Sequence, residues 1–291
     1  MKRITLAVLL AAAMLGCGRS KPATQQSTAQ EPAPASPTAP VHPVNRVVKD
    51  DDGRLSQTVA TATVQEPPEG ESCPPEETVT HKSVGKIYQL VAGHGGKGGL
   101  WDKIFFLTPD NKPISYKAIL HTELGAVTID LRPDVAPNHV RSFIALAKSG
   151  YYNGLAFDRA IRQKIEVDTG KEGMQPEVHT IDYLEAGCPL GTGDPGFGSV
   201  GYWLKPEFSD NVSHEVGTVG ACHGEELESG SAKFYITLTK APWMDGNWTI
   251  FGKVTHGMDV VRKIFDKPKG EDFRPTSPVI IRDVTVTSNV R

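Results

Sequence analysis

The sequence predicts a mainly β domain, closed into a barrel and plugged by helices, on three observations. Short β-branched runs recur between turn signals, one pair of them alternates as a hairpin, and the two amphipathic helical stretches lie far apart. Interleaved β-α-β units would need a helix after nearly every strand. The apolar or β-branched runs 87–92 and 103–107 read as strands around the glycines Gly93, Gly95, Gly96, Gly98 and Gly99. Runs 117–120 and 127–131 flank Thr122-Glu123-Leu124-Gly125, and Val127, Ile129 and Leu131 alternate with Thr128 and Asp130. That is a β-hairpin with one buried face. Pro137 stands at a first helical position before Val140, Phe143, Ile144 and Ala147, and Gly150 supplies the stop. Strands follow over 217–222, 233–238 and 249–253, then a helix carrying Met258, Val261, Ile264 and Phe265, and a closing strand over 278–287.

Composition removes several function classes. Thirty-one basic against 34 acidic residues give a net charge of −3 over 291 residues, which supplies no field for a phosphate backbone, so no nucleic-acid partner is expected. A mean hydropathy of −0.28 excludes a polytopic membrane protein. Four cysteines without C-x-x-C spacing exclude a disulfide-dense framework and a zinc ribbon. Lys2 and Arg3 precede an apolar run over 4–15 that is too short to span a bilayer, so residues 1–16 read as an export signal. Gly16-Cys17 resembles the lipobox of bacterial lipoproteins, which implies lipidation of Cys17 and a chain held by its lipid alone on the periplasmic side of the cell envelope. A plain signal peptide with an incidental cysteine is the alternative. Residues 17–81 carry ten prolines and little apolar periodicity, and read as a lipidated cysteine plus a disordered tether. Residues 82–117 then form an N-terminal β extension to a domain over 118–291.

Within that domain, six blocks occur in order. They are Leu124-Gly125; Ala136-Pro137-Asn138-His139-Val140; Phe157-Asp158-Arg159-Ala160-Ile161; and Ala186-Gly187-Cys188-Pro189-Leu190-Gly191-Thr192-Gly193. Phe234-Tyr235-Ile236-Thr237-Leu238 and Trp243-Met244-Asp245-Gly246 leading to Phe251-Gly252 complete the set. The run 118–264 resembles a cyclophilin-type peptidyl-prolyl cis-trans isomerase. The resemblance implies a closed antiparallel barrel of eight strands capped by two helices, with a peptide groove on its outer face and no cofactor or metal. It also implies a monomer whose partners are proline-containing polypeptide segments, which the export signal over 1–16 makes those of exported proteins.

Turning an X-Pro bond faces a barrier of about 18–20 kcal/mol from amide resonance. No covalent chemistry is needed: an apolar slot for the ring and a fixed donor near the imide nitrogen lower the barrier by positioning and electrostatics. Arg159 falls on the family's catalytic arginine, a cation that never deprotonates. The resemblance places Phe157, Tyr183, Glu185, Cys222, His223, Lys233, Tyr235, Trp243, Met244 and Trp248 around the substrate, with Asp182 at the position of the pocket phenylalanine. Three departures stand out: an insertion of about 163–181 beside the groove, Glu185 in place of a glutamine, and Trp248 in place of a histidine. A carboxylate at 185 is expected near Arg159, where an ion pair would draw the donor away from substrate.

Weaker signals are set aside. Gly191-Thr192-Gly193-Asp194-Pro195-Gly196 fits G-x-G-x-x-G, but no apolar-periodic helix follows. Cys222 and His223 are neighbours on a strand and point to opposite faces, so they are no nucleophile and base. Cys188, Cys222, His223 and Glu225 have metal-ligand chemistry without ligand spacing, and Glu225, Glu226 and Glu228 read as a solvated loop. Cys188 with Cys222 is the expected disulfide if one forms. Two functions stay open: a prolyl isomerase, or a proline-peptide-binding module without turnover.

Overall fold

The computed structural model describes residues 41–49, 55–63, 75–94, 97–167, 175–193, 199–224 and 226–290. The export signal over 1–16, Cys17, Cys73, Asp194-Pro195-Gly196, Glu225 and residues 168–174 of the insertion lie outside them. Inside the expected tether, β1 (Val41–Lys49) and β2 (Leu55–Thr63) pair antiparallel, a correction explained by their valine and threonine content.

The next correction concerns 82–117. Where the sequence predicts a strand at 87–92, the chain forms helix α1 (Val84–Ala92), followed by the two-residue strands β3 (Gly93–His94) and β4 (Lys97–Gly98). Ser83 caps the helix by accepting from the Lys86 N–H, and Val84, Ile87 and Val91 are buried at helical spacing, so burial of one stripe decides between two periods. Instead of a strand over 103–107, Trp101–Lys103 is a 3-10 turn and Leu107 makes one bridge to Pro113. Ordered structure also starts earlier than residue 82: Val79 N–H donates to the Pro189 carbonyl, and Lys82 Nζ donates to the carbonyls of Gly150, Tyr151 and Asn153 beyond a later helix. Trp101 packs edge-on to Tyr202, and Phe106 edge-on to Tyr116. This segment is therefore a packed layer of the domain.

The body follows the expected order. Strands β5 (Ile114–Thr122) and β6 (Gly125–Leu131) form the hairpin, with Thr122 opposite Gly125. Helix α2 (Pro137–Lys148) comes next, then β7 (Phe157–Val167) and β8 (Glu177–Ala186). The chain continues with β9 (Thr218–Ala221), β10 (Phe234–Thr237), β11 (Ile250–His256), helix α3 (Met258–Phe265) and β12 (Ile281–Val290). Eight antiparallel strands lie in the order β12-β5-β6-β11-β9-β10-β8-β7. The sheet is not closed by a continuous ladder, in contrast to the expected closed barrel. Its edge strands meet at one bridge, Ala156 to Ile280, just before each begins. With α1 there are three described α-helices rather than two.

The expected insertion of about 163–181 takes the form of a strand pair over its described residues. Residues 163–167 and 177–181 prolong β7 and β8 as a two-stranded ribbon, whose register runs to Val167 opposite Glu177. Ile165 and Val167 alternate with Lys164 and Glu166, and His179 and Ile181 share their face across the ladder, so the strand pairing continues through the insertion. The main core fills the sheet's inner side, where Phe143 of α2 packs against Phe234 and Phe251.

Candidate functional site

Position 158 organises the outer face of β7. The ladder pairs Phe157 with Ala186 and then Arg159 with Glu185, so Asp158 is an extra residue in a bulge. Beyond it, Ala160 and Leu184 point into the main core, while the pairs Arg159/Glu185, Ile161/Tyr183 and Gln163/Ile181 share the opposite face. Against that face lies a second apolar cluster, separate from the main core. Ile181, Tyr235, Ala241 and Met244 are buried in it, with Tyr183, Cys222, Trp243 and Trp248 packed around them. Six of the predicted substrate-binding residues thus meet in one place.

Others do not. Phe157, 0% exposed, belongs to the main core, because the residue before the bulge keeps the inward parity. Asp182 faces away from the cluster, where Arg162 grips it with two parallel hydrogen bonds of 2.9 and 2.7 Å; Ile181 takes the pocket position instead. Lys233 is 3% exposed, so it lies behind the groove surface rather than on it.

The expected ion pair between Arg159 and Glu185 does not form. Lys233 Nζ takes Glu185 at 3.2 Å and donates to the Gly193 carbonyl at 2.6 Å. Burial pulls the Lys233 pKa down, but Glu185 and the other acidic groups around it outweigh that and leave it above the ordinary lysine value. Arg159 is half-buried, makes no ion pair with a described residue, and its Nε is buried without a hydrogen-bond partner among them.

Behind it, Asp158 is 3% exposed; its Oδ2 accepts the Cys188 N–H at 3.0 Å, and Oδ1 has no partner among the described residues. Burial raises its pKa to about 7. On the far side, Tyr235 Oη donates to His214 Nε2 at 2.7 Å, and His214 Nδ1 donates to Asp245 at 2.5 Å. Burial lowers the His214 pKa in spite of Asp245, so the imidazole is neutral with its proton on Nδ1. Gly220 makes this possible: a Cβ there would sit 2.2 Å from Tyr235 Oη.

Two histidine–tryptophan stacks flank the cluster, His223 on Trp248 and His179 of the ribbon on Trp243, with ring centroids 5.3 and 4.4 Å apart. Cys188 and Cys222 are free thiols, so the pair that the sequence offered for a disulfide does not form one. Ala186 and Ala221 both pair with Phe234, so the segments carrying the cysteines flank one strand, roughly 10 Å apart, beyond disulfide reach. Among the described residues no three of His, Cys, Asp and Glu converge to share a metal ion. A recess of about 330 Å³ lined by Leu90, Leu100, Lys103 and Lys148 shares no residue with this site. Sequence reasoning missed Ile181, Asp158, His214 and Gly220; only Ile181 left a signal, two residues before Tyr183 on the same strand face.

The family model described as cyclophilin type peptidyl-prolyl cis-trans isomerase/CLD matches residues 117–286. The chain is 32% identical over 171 residues to peptidyl-prolyl cis-trans isomerase-like 3 of Gallus gallus, spanning 58% of this chain and 95% of that one. It is 31% identical over 176 residues to the peptidylprolyl isomerase domain and WD repeat-containing protein 1 of Mus musculus, 60% of this chain but 24% of that one. A crystal structure of a Cryptosporidium parvum cyclophilin type peptidyl-prolyl cis-trans isomerase superposes with a TM-score of 0.50 at 22% identity, covering 60% of this chain and 99% of that one, which speaks for the fold alone.

Proposed function

The chain belongs to the cyclophilin-type peptidyl-prolyl cis-trans isomerase family, and from that premise we propose that it turns X-Pro bonds of exported polypeptides. The proline ring would sit on the cluster of Tyr183, Tyr235, Met244 and Trp243, and the Arg159 guanidinium would donate toward the imide nitrogen as the bond twists. The observation that carries this reading is an arginine left without an acidic partner beside that cluster, because Lys233 takes the acid opposite it. Each 1.4 kcal/mol of transition-state stabilisation is worth about tenfold in rate. A single charge-assisted hydrogen bond of about 1.5–3 kcal/mol therefore accounts for about ten- to a hundredfold. Nothing in the scheme calls for a cofactor.

A protease-coupled X-Pro peptide assay tests it. The wild type accelerates isomerisation above the uncatalysed rate, and Arg159→Ala loses that acceleration. The second reading, a proline-peptide-binding module without turnover, is favoured by Ile181 and His179, which the ribbon sends into and over the cluster. Peptide binding without acceleration by the wild type would select it. The envelope location rests on the 1–16 export signal and the Gly16-Cys17 pair. No helix among the described residues is long and apolar enough to cross a membrane. Cys17→Ser is expected to move the protein from the detergent phase to the aqueous phase.

A further inference from the structure

An arginine side chain without an ion-pair partner has several rotatable bonds and little reason to stay in place. Yet the Nε of Arg159 is buried. The restraint comes from Gly193, which packs on the arginine stem so closely that a Cβ there would lie 2.8 Å from both Cγ and Nε. Gly193 adopts φ +67°, a left-handed conformation that glycine tolerates and that turns its backbone onto the stem. Its carbonyl accepts from Lys233 Nζ at 2.6 Å, and the same ammonium holds Glu185, the residue facing Arg159 across the ladder, at 3.2 Å.

We propose that Lys233 is a positioning residue for Arg159: from behind the groove it pins Gly193 against the arginine stem and keeps the Glu185 carboxylate from capturing the guanidinium. This rests on the isomerase reading of Arg159. The ammonium is buried and touches no substrate, so its effect passes wholly through its two neighbours. Without it, Glu185 faces Arg159 as an unpaired carboxylate, and the nearest cation is the one the reaction uses. The three residues come from β8, the segment that follows it, and the position just before β10, so this arrangement exists only in the folded chain.

The test uses the full chain and the variants Lys233→Met, Lys233→Arg and Lys233→Met with Glu185→Gln. A displacement of about 1 Å at a reacting group can cost about a hundredfold, so Lys233→Met is expected to lower kcat by about ten- to a hundredfold with little change in KM. Adding Glu185→Gln removes the competing carboxylate and restores part of kcat, and Lys233→Arg retains most of it. The second readout is the ¹⁵Nε resonance of Arg159, which shifts in Lys233→Met toward that of a carboxylate-paired guanidinium. Wild-type kcat in folded Lys233→Met, equal losses in Lys233→Met and Lys233→Arg, or an unmoved Nε resonance would each overturn the proposal. If the wild type itself gives no acceleration, the isomerase reading fails, and the Nε resonance still decides the positioning role.

Discussion

Asp158→Asn should stabilise the protein in a way that grows with pH. Asp158 is buried at the bulge, and its ionised form is disfavoured strongly enough to raise the pKa from the ordinary 3.8 to about 7. Below 3.8 folded and unfolded chains both hold the proton, and the protonated group's contribution to stability is fully present. Between 3.8 and about 7 the unfolded chain releases a proton that the folded chain keeps, so this contribution is lost as pH rises through the folded pKa. About three pH units at about 1.4 kcal/mol each come to roughly 4 kcal/mol. Asparagine imitates the protonated acid at every pH and escapes the loss. Urea unfolding of both proteins at low and at high pH measures it: the variant's advantage should increase by up to about 4 kcal/mol between pH 4 and pH 8.5. An advantage equal at the two pH values would refute the assignment of Asp158 as a buried acid. His214 has its own pH dependence, with the opposite sign, but it is common to both proteins and cancels in the difference.

Two further outcomes follow from packing. Gly220→Ala puts a methyl 2.2 Å from Tyr235 Oη and 2.3 Å from Cζ. Overpacking plus a buried His214 Nε2 left without its donor should cost about 2–6 kcal/mol, read as a lower melting midpoint. Lys82→Met strands the carbonyls of Gly150, Tyr151 and Asn153, which now share one ammonium. A loss of about 1–3 kcal/mol in urea unfolding is expected, and an unchanged midpoint would mean that the 75–113 layer does not brace the end of α2.

The hairpin of β5 and β6 and the helices α2 and α3 were legible because each carries its own period, its own turn or cap, and an apolar side that needs no distant partner to be recognised. Helix α1 was not legible: 87–92 is a short apolar run that fits either period, and what selects the helix is burial of Val84, Ile87 and Val91 under residues far along the chain. The aromatic set at 183, 235, 243 and 248 could be gathered from the order of motifs, whereas Phe157 and Asp182 were misplaced because one bulge residue and strand alternation decide which face a side chain takes.

By itself the sequence determined the family and the residue types the chain brings to the site: an arginine at 159 and a group of aromatic residues, in the order of the family's motifs. Only the tertiary structure decided which cation meets which acid. Arg159, Glu185, Gly193 and Lys233 are separated by up to 74 positions in the chain, and pairing energy depends on distance and desolvation rather than on spacing along the backbone. Burial put Lys233 between Glu185 and Gly193, and so left the arginine without an acidic partner among the described residues.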